Sequence, residues 1–165
     1  MKFCFKAGIG FQGLFHDLSK YSCVEFWSGV KYYTDGSQSP NNGQRKKYGY
    51  SKAWLHHKGR NKHHFEYWVD ILGSQKEIRF CKMPLNYVKE MFCDRLAATK
   101  IYLKDAYTQY APLEYYLARN EENYMHKDTA NLLQKLLIML AQDGEDATFK
   151  YIKGLKNKDY ETQTE

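Results

Sequence analysis

The amino-acid sequence predicts an all-α fold in a single domain, and three observations carry that prediction. Apolar residues recur at helical spacing, most clearly Val88, Met91, Phe92, Leu96 and Ile101, while no segment alternates with period two as a half-buried strand would. Helix-start signals stand directly ahead of the periodic stretches, among them Ser22-Cys23-Val24-Glu25 and Pro84. The length of 165 residues fits one domain around one hydrophobic core.

The elements follow in order. Ser22 and Glu25 form a capping box, so a helix is predicted from Cys23 to Tyr33. Thr34–Gly49 reads as a loop because TDGSQSPNNGQ is dense in turn formers, and its length suggests a lid or binding loop. A helix from Tyr50 to His57 ends near Gly59, and Asn61 caps the next, which runs through HHFEYWVDIL. Gly73–Lys82 is a connection whose Ile78-Arg79-Phe80 makes a short extended piece. Pro84 opens a long helix from Leu85 to Leu103. Further helices are predicted at Pro112–Ala118, at Thr129–Ala141 capped by Asp128, and at Glu145–Leu155. The helical domain thus covers 1–155, and the tail 156–165 lacks a periodic apolar face and is expected to fray.

Composition excludes several classes. Apolar residues are 43% and charged residues 27%, in the ordinary globular range. No window reaches the apolar length of a membrane span, and no signal peptide is recognisable, so the protein is expected to be cytoplasmic with no membrane partner. Cys4, Cys23, Cys81 and Cys93 form no CxxC pair and sit in apolar stretches, which reads as buried free thiols rather than a disulfide scaffold or thiolate zinc site.

Charge is uneven along the chain. Residues 1–82 carry 14 basic and 6 acidic side chains, and no acidic residue lies between Asp35 and Glu66. That interval holds Arg45, Lys46, Lys47, Lys52, Lys58, Arg60 and Lys62, a composition that favours an anionic ligand such as a phosphate-containing small molecule or nucleic acid.

Five of the six histidines, His16, His56, His57, His63 and His64, fall within 49 residues. Imidazoles and carboxylates together are the ligand set of divalent ions such as Mn, Fe, Zn, Co and Ni. Helical phase selects within each doublet. Trp54 and Leu55 mark a buried side that favours His57 over His56. In the helix predicted through Phe65, Trp68, Val69 and Leu72, His64 lies at the edge of the apolar face and His63 almost opposite. His57 and His64 are therefore the preferred ligands, with His56 and His63 ranked below them.

The stretch His16-Asp17-Leu18-Ser19-Lys20 resembles the HDxxK signature of the HD-domain metal-dependent phosphohydrolases. Cys93-Asp94-Arg95-Leu96-Ala97-Ala98 is similar to that superfamily's closing Asp helix. More closely, HDLSKYSCVEF, YSKAWLHHKGRNKHHFEYW and MPLNYVKEMFCDRLAA together resemble an uncharacterised family of small, HD-like bacterial and phage proteins, over most of residues 3–105. The resemblance implies an HD-like helical bundle holding one or two divalent ions. His16, Asp17 and Asp94 would hold the first, His57 and His64 the second, and Asp17 would bridge them. It assigns Asp17 and Lys20 to catalysis, with Lys20 facing substrate phosphate or the attacking water. Lys58 and Arg60, between the histidine doublets, are expected to collect the anionic substrate, and Arg45, Lys46 and Lys47 to form an outer rim. The superfamily pattern also has a histidine upstream of the His-Asp pair, and none precedes His16. The resemblance therefore implies a shortened N-terminal helix or a first ion with one protein ligand fewer.

The expected activity is metal-dependent hydrolysis of a nucleotide or other phosphoester. Two alternatives use the same residues differently. An HD-type di-iron oxygenase has the same ligand order and activates O₂, and a non-catalytic nucleic-acid-binding module would use the basic, aromatic interval 45–68 and a pI near 9.0.

Overall fold

The computed structural model describes residues 1–73 and 76–161. The described residues form nine α-helices and one two-stranded antiparallel hairpin, so the chain is all-α apart from that hairpin. In chain order the helices are α1 (Lys2–Lys6), α2 (Gly10–Leu14), α3 (Cys23–Tyr32), α4 (Asn41–Tyr48), α5 (Lys52–Lys58), α6 (Leu85–Leu103), α7 (Ala111–Ala118), α8 (Lys127–Gly154) and α9 (Asn157–Glu161). The hairpin strands are β1 (Val69–Leu72) and β2 (Glu77–Phe80), with Val69 opposite Phe80 and Leu72 opposite Glu77.

α6 and α8 form the centre of the core, with α1 and α7 packed on them. Val88, Phe92 and Leu96 of α6 and Leu133, Leu136, Leu137 and Leu140 of α8 are completely or almost completely buried. Phe149 stacks on Phe3 at 5.6 Å and meets Phe92 edge-on at 5.9 Å, which ties α1 to both long helices. Ile101 belongs by sequence to the α6 stripe but lies beyond the packed part of the helix and is exposed. The two segments predicted at 129–141 and 145–155 are halves of α8, divided at Gly144. Its φ of 81° and ψ of 178° lie outside the range open to residues with a Cβ. His126, not Asp128, caps α8, through its Nδ1 accepting the Asp128 N–H.

Three predicted segments differ. α4 lies inside the expected 34–49 loop. The turn formers end at Asn42, and Gln44 to Tyr48 then propagate a helix that Gly49 closes at φ 79°. The expected helix through 63–72 is a 3-10 turn, Phe65–Trp68, leading into β1, and the β-branched Val69 and Ile71 pair across the hairpin with Phe80 and Ile78. The start of the tail is ordered to residue 161. Tyr160 of α9 is buried, its hydroxyl shares a hydrogen bond with Thr129 Oγ1 at 3.1 Å, and its carbonyl accepts from Lys82 Nζ at 3.0 Å. The expectation that 156–165 frays is thus corrected for 157–161, while residues 162–165 lie outside the described residues. Tyr160→Ala is expected to lower the unfolding free energy by about 3 kcal/mol, read as a shifted urea midpoint at unchanged slope.

The cysteines divide. Cys4 and Cys93 are buried as expected, but Cys23 and Cys81 are exposed, because they sit at the start of α3 and just after β2 rather than on core faces. No helix among the described residues is long and apolar enough to cross a membrane.

Candidate metal centre

Four elements converge on one buried point. After α2 the chain turns through His16 and Asp17 into a 3-10 turn, Leu18–Tyr21. Asp17 adopts φ 61° and ψ 23°, a left-handed conformation uncommon for residues with a side chain but accessible to Asp. Its carboxylate is thereby aimed inward and only 7% of the residue is exposed. α5, capped by Ser51, presents His57 to the same point, and α6 presents Glu90 and Asp94 one helical turn apart. The turn after α5 brings in His63 and His64. It is braced by buried Asn61, whose Nδ2 donates to the His57 carbonyl at 2.9 Å and to Ser19 Oγ at 2.7 Å. Asn61 therefore ties the end of α5 to the 18–21 turn instead of capping a following helix.

The imidazoles share one orientation. His57 Nδ1 lies 2.7 Å from Glu25 Oε2, His16 Nδ1 lies 2.9 Å from Glu90 Oε1, and His63 Nδ1 lies 3.2 Å from the same Glu90 oxygen. With Nδ1–H directed at a carboxylate, each ring turns Nε2 toward Asp17. The distances are 3.3 Å from His57 and 3.4 Å from His63 to Oδ1, and 3.2 Å from His16 to Oδ2. Carboxylates behind histidines in this way fix the tautomer and ring angle of metal ligands. Trp54 packs against His57 at 5.6 Å and His64 at 4.8 Å, restricting both rings.

Two overlapping sets of side chains could hold a cation, Asp17 with His57, His63 and His64, and His16 with Asp17, His63 and Asp94. In each set the ligand atoms lie within 4.8 Å of one another. The residues fit a divalent ion on a second observation. Asp17 Oδ1, His63 Nε2 and His64 Nε2 are buried and make no hydrogen bond among the described residues. Orphaned buried acceptors facing a common point are costly unless a ligand satisfies them.

Electrostatics separates the histidines. Burial would lower the His16 imidazolium, but hydrogen bonds to Asp94 and Glu90 override it and raise its pKa to about 10. Burial, reinforced by His63, pushes His64 down to about 2, so it presents a neutral lone pair. Glu90 is lowered to about 2, because hydrogen bonds from His16, His63 and Gln12 outweigh its burial. Asp94 is lowered in the same way, chiefly by His16.

The centre opens into a cavity of about 1190 Å³, lined by α3, the 37–40 loop, α4, α5, α6 and α7. His16, Asp17, His57, His64 and Asp94 all belong to the two ligand sets. His63, ranked low by helical phase, belongs to both and is 2% exposed, because no helix runs through it to set that phase. His56 stays outside the sets, its Nδ1 2.6 Å from Glu25 Oε1. Lys20 pairs with Asp17 Oδ2 at the rim. Lys58, at the end of α5, and Arg60, in the turn behind it, do not line the cavity, and Arg60 reaches back to the His56 carbonyl at 3.4 Å. Arg45, expected at an outer rim, does line it, above Trp54 at 5.6 Å, together with Arg95 and Arg119. Sequence reasoning passed over Glu25 and Glu90. Glu25 caps α3 only through its backbone N–H, and its side chain goes to the histidines. Glu90 was findable, since it stands four residues before Asp94 on one face of a predicted helix.

Compared with known proteins, residues 1–139 match the model of a family of unknown function, DUF5662. No curated protein and no solved structure matches the chain.

Proposed function

The chain belongs to the DUF5662 family, whose description assigns no activity, and from that premise we propose that it is a metal-dependent phosphohydrolase acting on a phosphoester in the cavity above Asp17. One observation carries the reading: unsatisfied Asp17 Oδ1, His63 Nε2 and His64 Nε2 face a single point at the base of a cavity rimmed by cationic side chains. His57, His63 and His64 would hold one ion and His16 and Asp94 a second. Asp17 would bridge them, because His16, His57 and His63 have Nδ1 committed to carboxylates and one nitrogen left each, while Asp17 has two oxygens. A bound divalent ion supplies a water of lowered pKa and offsets charge growing on a phosphoryl oxygen.

The chain's own groups do the rest. The lining has Lys20, Arg45, Arg95 and Arg119 against Asp17, Glu25, Glu66, Asp94 and Glu121, so it attracts an anion only when cations occupy the centre. Glu121 holds Arg95 at 2.5 Å and Arg119 at 3.2 Å, which pre-orients two guanidinium groups for phosphate oxygens. Lys20 stands nearest the centre, where it would orient phosphate. Glu25 and Glu90 keep the imidazole protons on Nδ1, away from the reacting atoms.

The test is phosphate release from a panel of nucleotides and other phosphoesters with Mn²⁺, Co²⁺, Ni²⁺ or Fe²⁺. Asp17→Ala is expected to reduce turnover to background. Lys20→Ala should keep its metal and lose about 10²-fold in kcat/KM, the usual cost of one preorganised charge-stabilising donor. Full activity in Asp17→Ala, or metal loss in Lys20→Ala, overturns these roles. O₂ consumption by an iron-loaded, mixed-valence protein without phosphate release would replace the hydrolase by the oxygenase reading.

A further inference from the structure

α3 is built inside out. Its buried residues are Glu25 and Ser28, and its large apolar side chains face outward on two sides. One side, with Phe26 and Val30, lines the cavity already described. The other opens on a separate groove of about 360 Å³ between α3, α4 and the start of α5, lined by Trp27, Tyr32, Tyr48 and Tyr50 with Lys31 and Lys52. Trp27 is 63% exposed, Tyr48 53% and Tyr50 57%, so three rings offer open faces.

The charge at this groove has one sign. No carboxylate lines it, since Glu25 points to the other side of α3, and Lys47 lies 5.1 Å from the Tyr48 ring centre just beyond it. The rings are held in place. Phe26 meets Trp27 edge-on at 5.4 Å, and Gly43 lets α4 approach Tyr32 so closely that a Cβ would stand 2.7 Å from the ring. Fixed aromatic faces interleaved with lysines suit a ligand that alternates flat bases with negative charges. A base paired in a duplex keeps its faces against its neighbours, so only an unpaired strand can use such rings.

We propose that this groove binds single-stranded nucleic acid, with bases stacked on Trp27, Tyr48 and Tyr50 and phosphates paired with Lys31, Lys47 and Lys52. The site is separate from the metal centre and requires no ion. The test is fluorescence anisotropy of a labelled oligothymidylate of about ten nucleotides, within the usual span of such sites. Wild-type protein is expected to bind with an affinity that falls as salt rises, to quench Trp fluorescence, and to prefer the single strand over the matching duplex. Trp27→Ala and Tyr48→Ala should each weaken binding about tenfold, as loss of one stacked base does. Tyr124→Ala, an exposed ring elsewhere, should change nothing. Far-UV circular dichroism checks that each variant folds.

Equal binding of duplex, or of inorganic polyphosphate, would show charge without stacking and overturn the assignment. So would unchanged affinity in both groove variants, or binding that disappears with chelator and with His63→Ala, which would place the strand in the metal cavity. Failure of phosphoester hydrolysis would leave the anisotropy result untouched, so the two readings fail separately.

Discussion

Replacing His63 by alanine is expected to strip the protein of divalent metal, while His56→Ala leaves metal content close to wild type. The adjacent doublets make the contrast sharp. His63 and His64 follow one another on the turn after α5, and both send Nε2 to the centre. In the preceding doublet only His57 does so, with His56 diverted to Glu25. Because His63 belongs to both ligand sets, a single ion held by either set would lose a ligand with it. Glu90→Gln should act at one remove. It keeps shape and some hydrogen bonding but weakens the carboxylate behind His16 and His63, so metal affinity should fall about 10–100-fold with the fold intact. Elemental analysis after dialysis reads the first comparison and competition with a chromogenic chelator reads the second. Metal retained in His63→Ala, or lost equally in His56→Ala, would rule out the arrangement.

How much of this was legible in the sequence depends on the range of the interactions. α6 and α8 are long and periodic, so Val88, Phe92, Leu133 and Leu137 declare a buried face from local spacing alone. His57 was separable from His56 because both lie on a real helix, α5, where phase is meaningful. The same reasoning ranked His63 too low, since the apolar residues after it belong to a 3-10 turn and a hairpin. There Val69, Ile71 and Ile78 are exposed, so they set no buried face. Short segments with mixed propensity are decided by what they pack against. Glu25 shows the further limit: its capping role is local and readable, but its side chain is committed to histidines more than thirty residues away. A sequence shows that a carboxylate is present, and only the fold shows which imidazole it supports.

Divalent metal should also raise thermal stability, and the location of the site sets both the size and the distribution of the effect. The ligands come from the turn after α2, from α5 and the turn behind it, and from α6, so one bound ion cross-links segments distant in sequence. α1 and α2 have five residues each, too short to be stable alone, and α2 presents Phe11 and Leu14 to solvent. α1 is held to the core through Phe3 and Cys4, whereas the segment of α2 and the turn after it reaches α6 through Gln12 to Asn86 and His16 to Glu90 and Asp94. An ion bound only by the folded state contributes about 2.7 kcal/mol at a hundredfold excess over Kd. For a domain of this length that corresponds to a rise in Tm of about 5–10 °C. Hydrogen exchange should show the added protection concentrated in residues 10–21 and 57–64, with α8 nearly unchanged because its core leucines already hold it. Asp17→Ala should abolish the shift, since Asp17 is common to both ligand sets. A melting curve that ignores both added metal and chelator would mean that the His/Asp cluster is polar packing in its own right. Protection spread evenly over the chain would mean that the ion binds elsewhere.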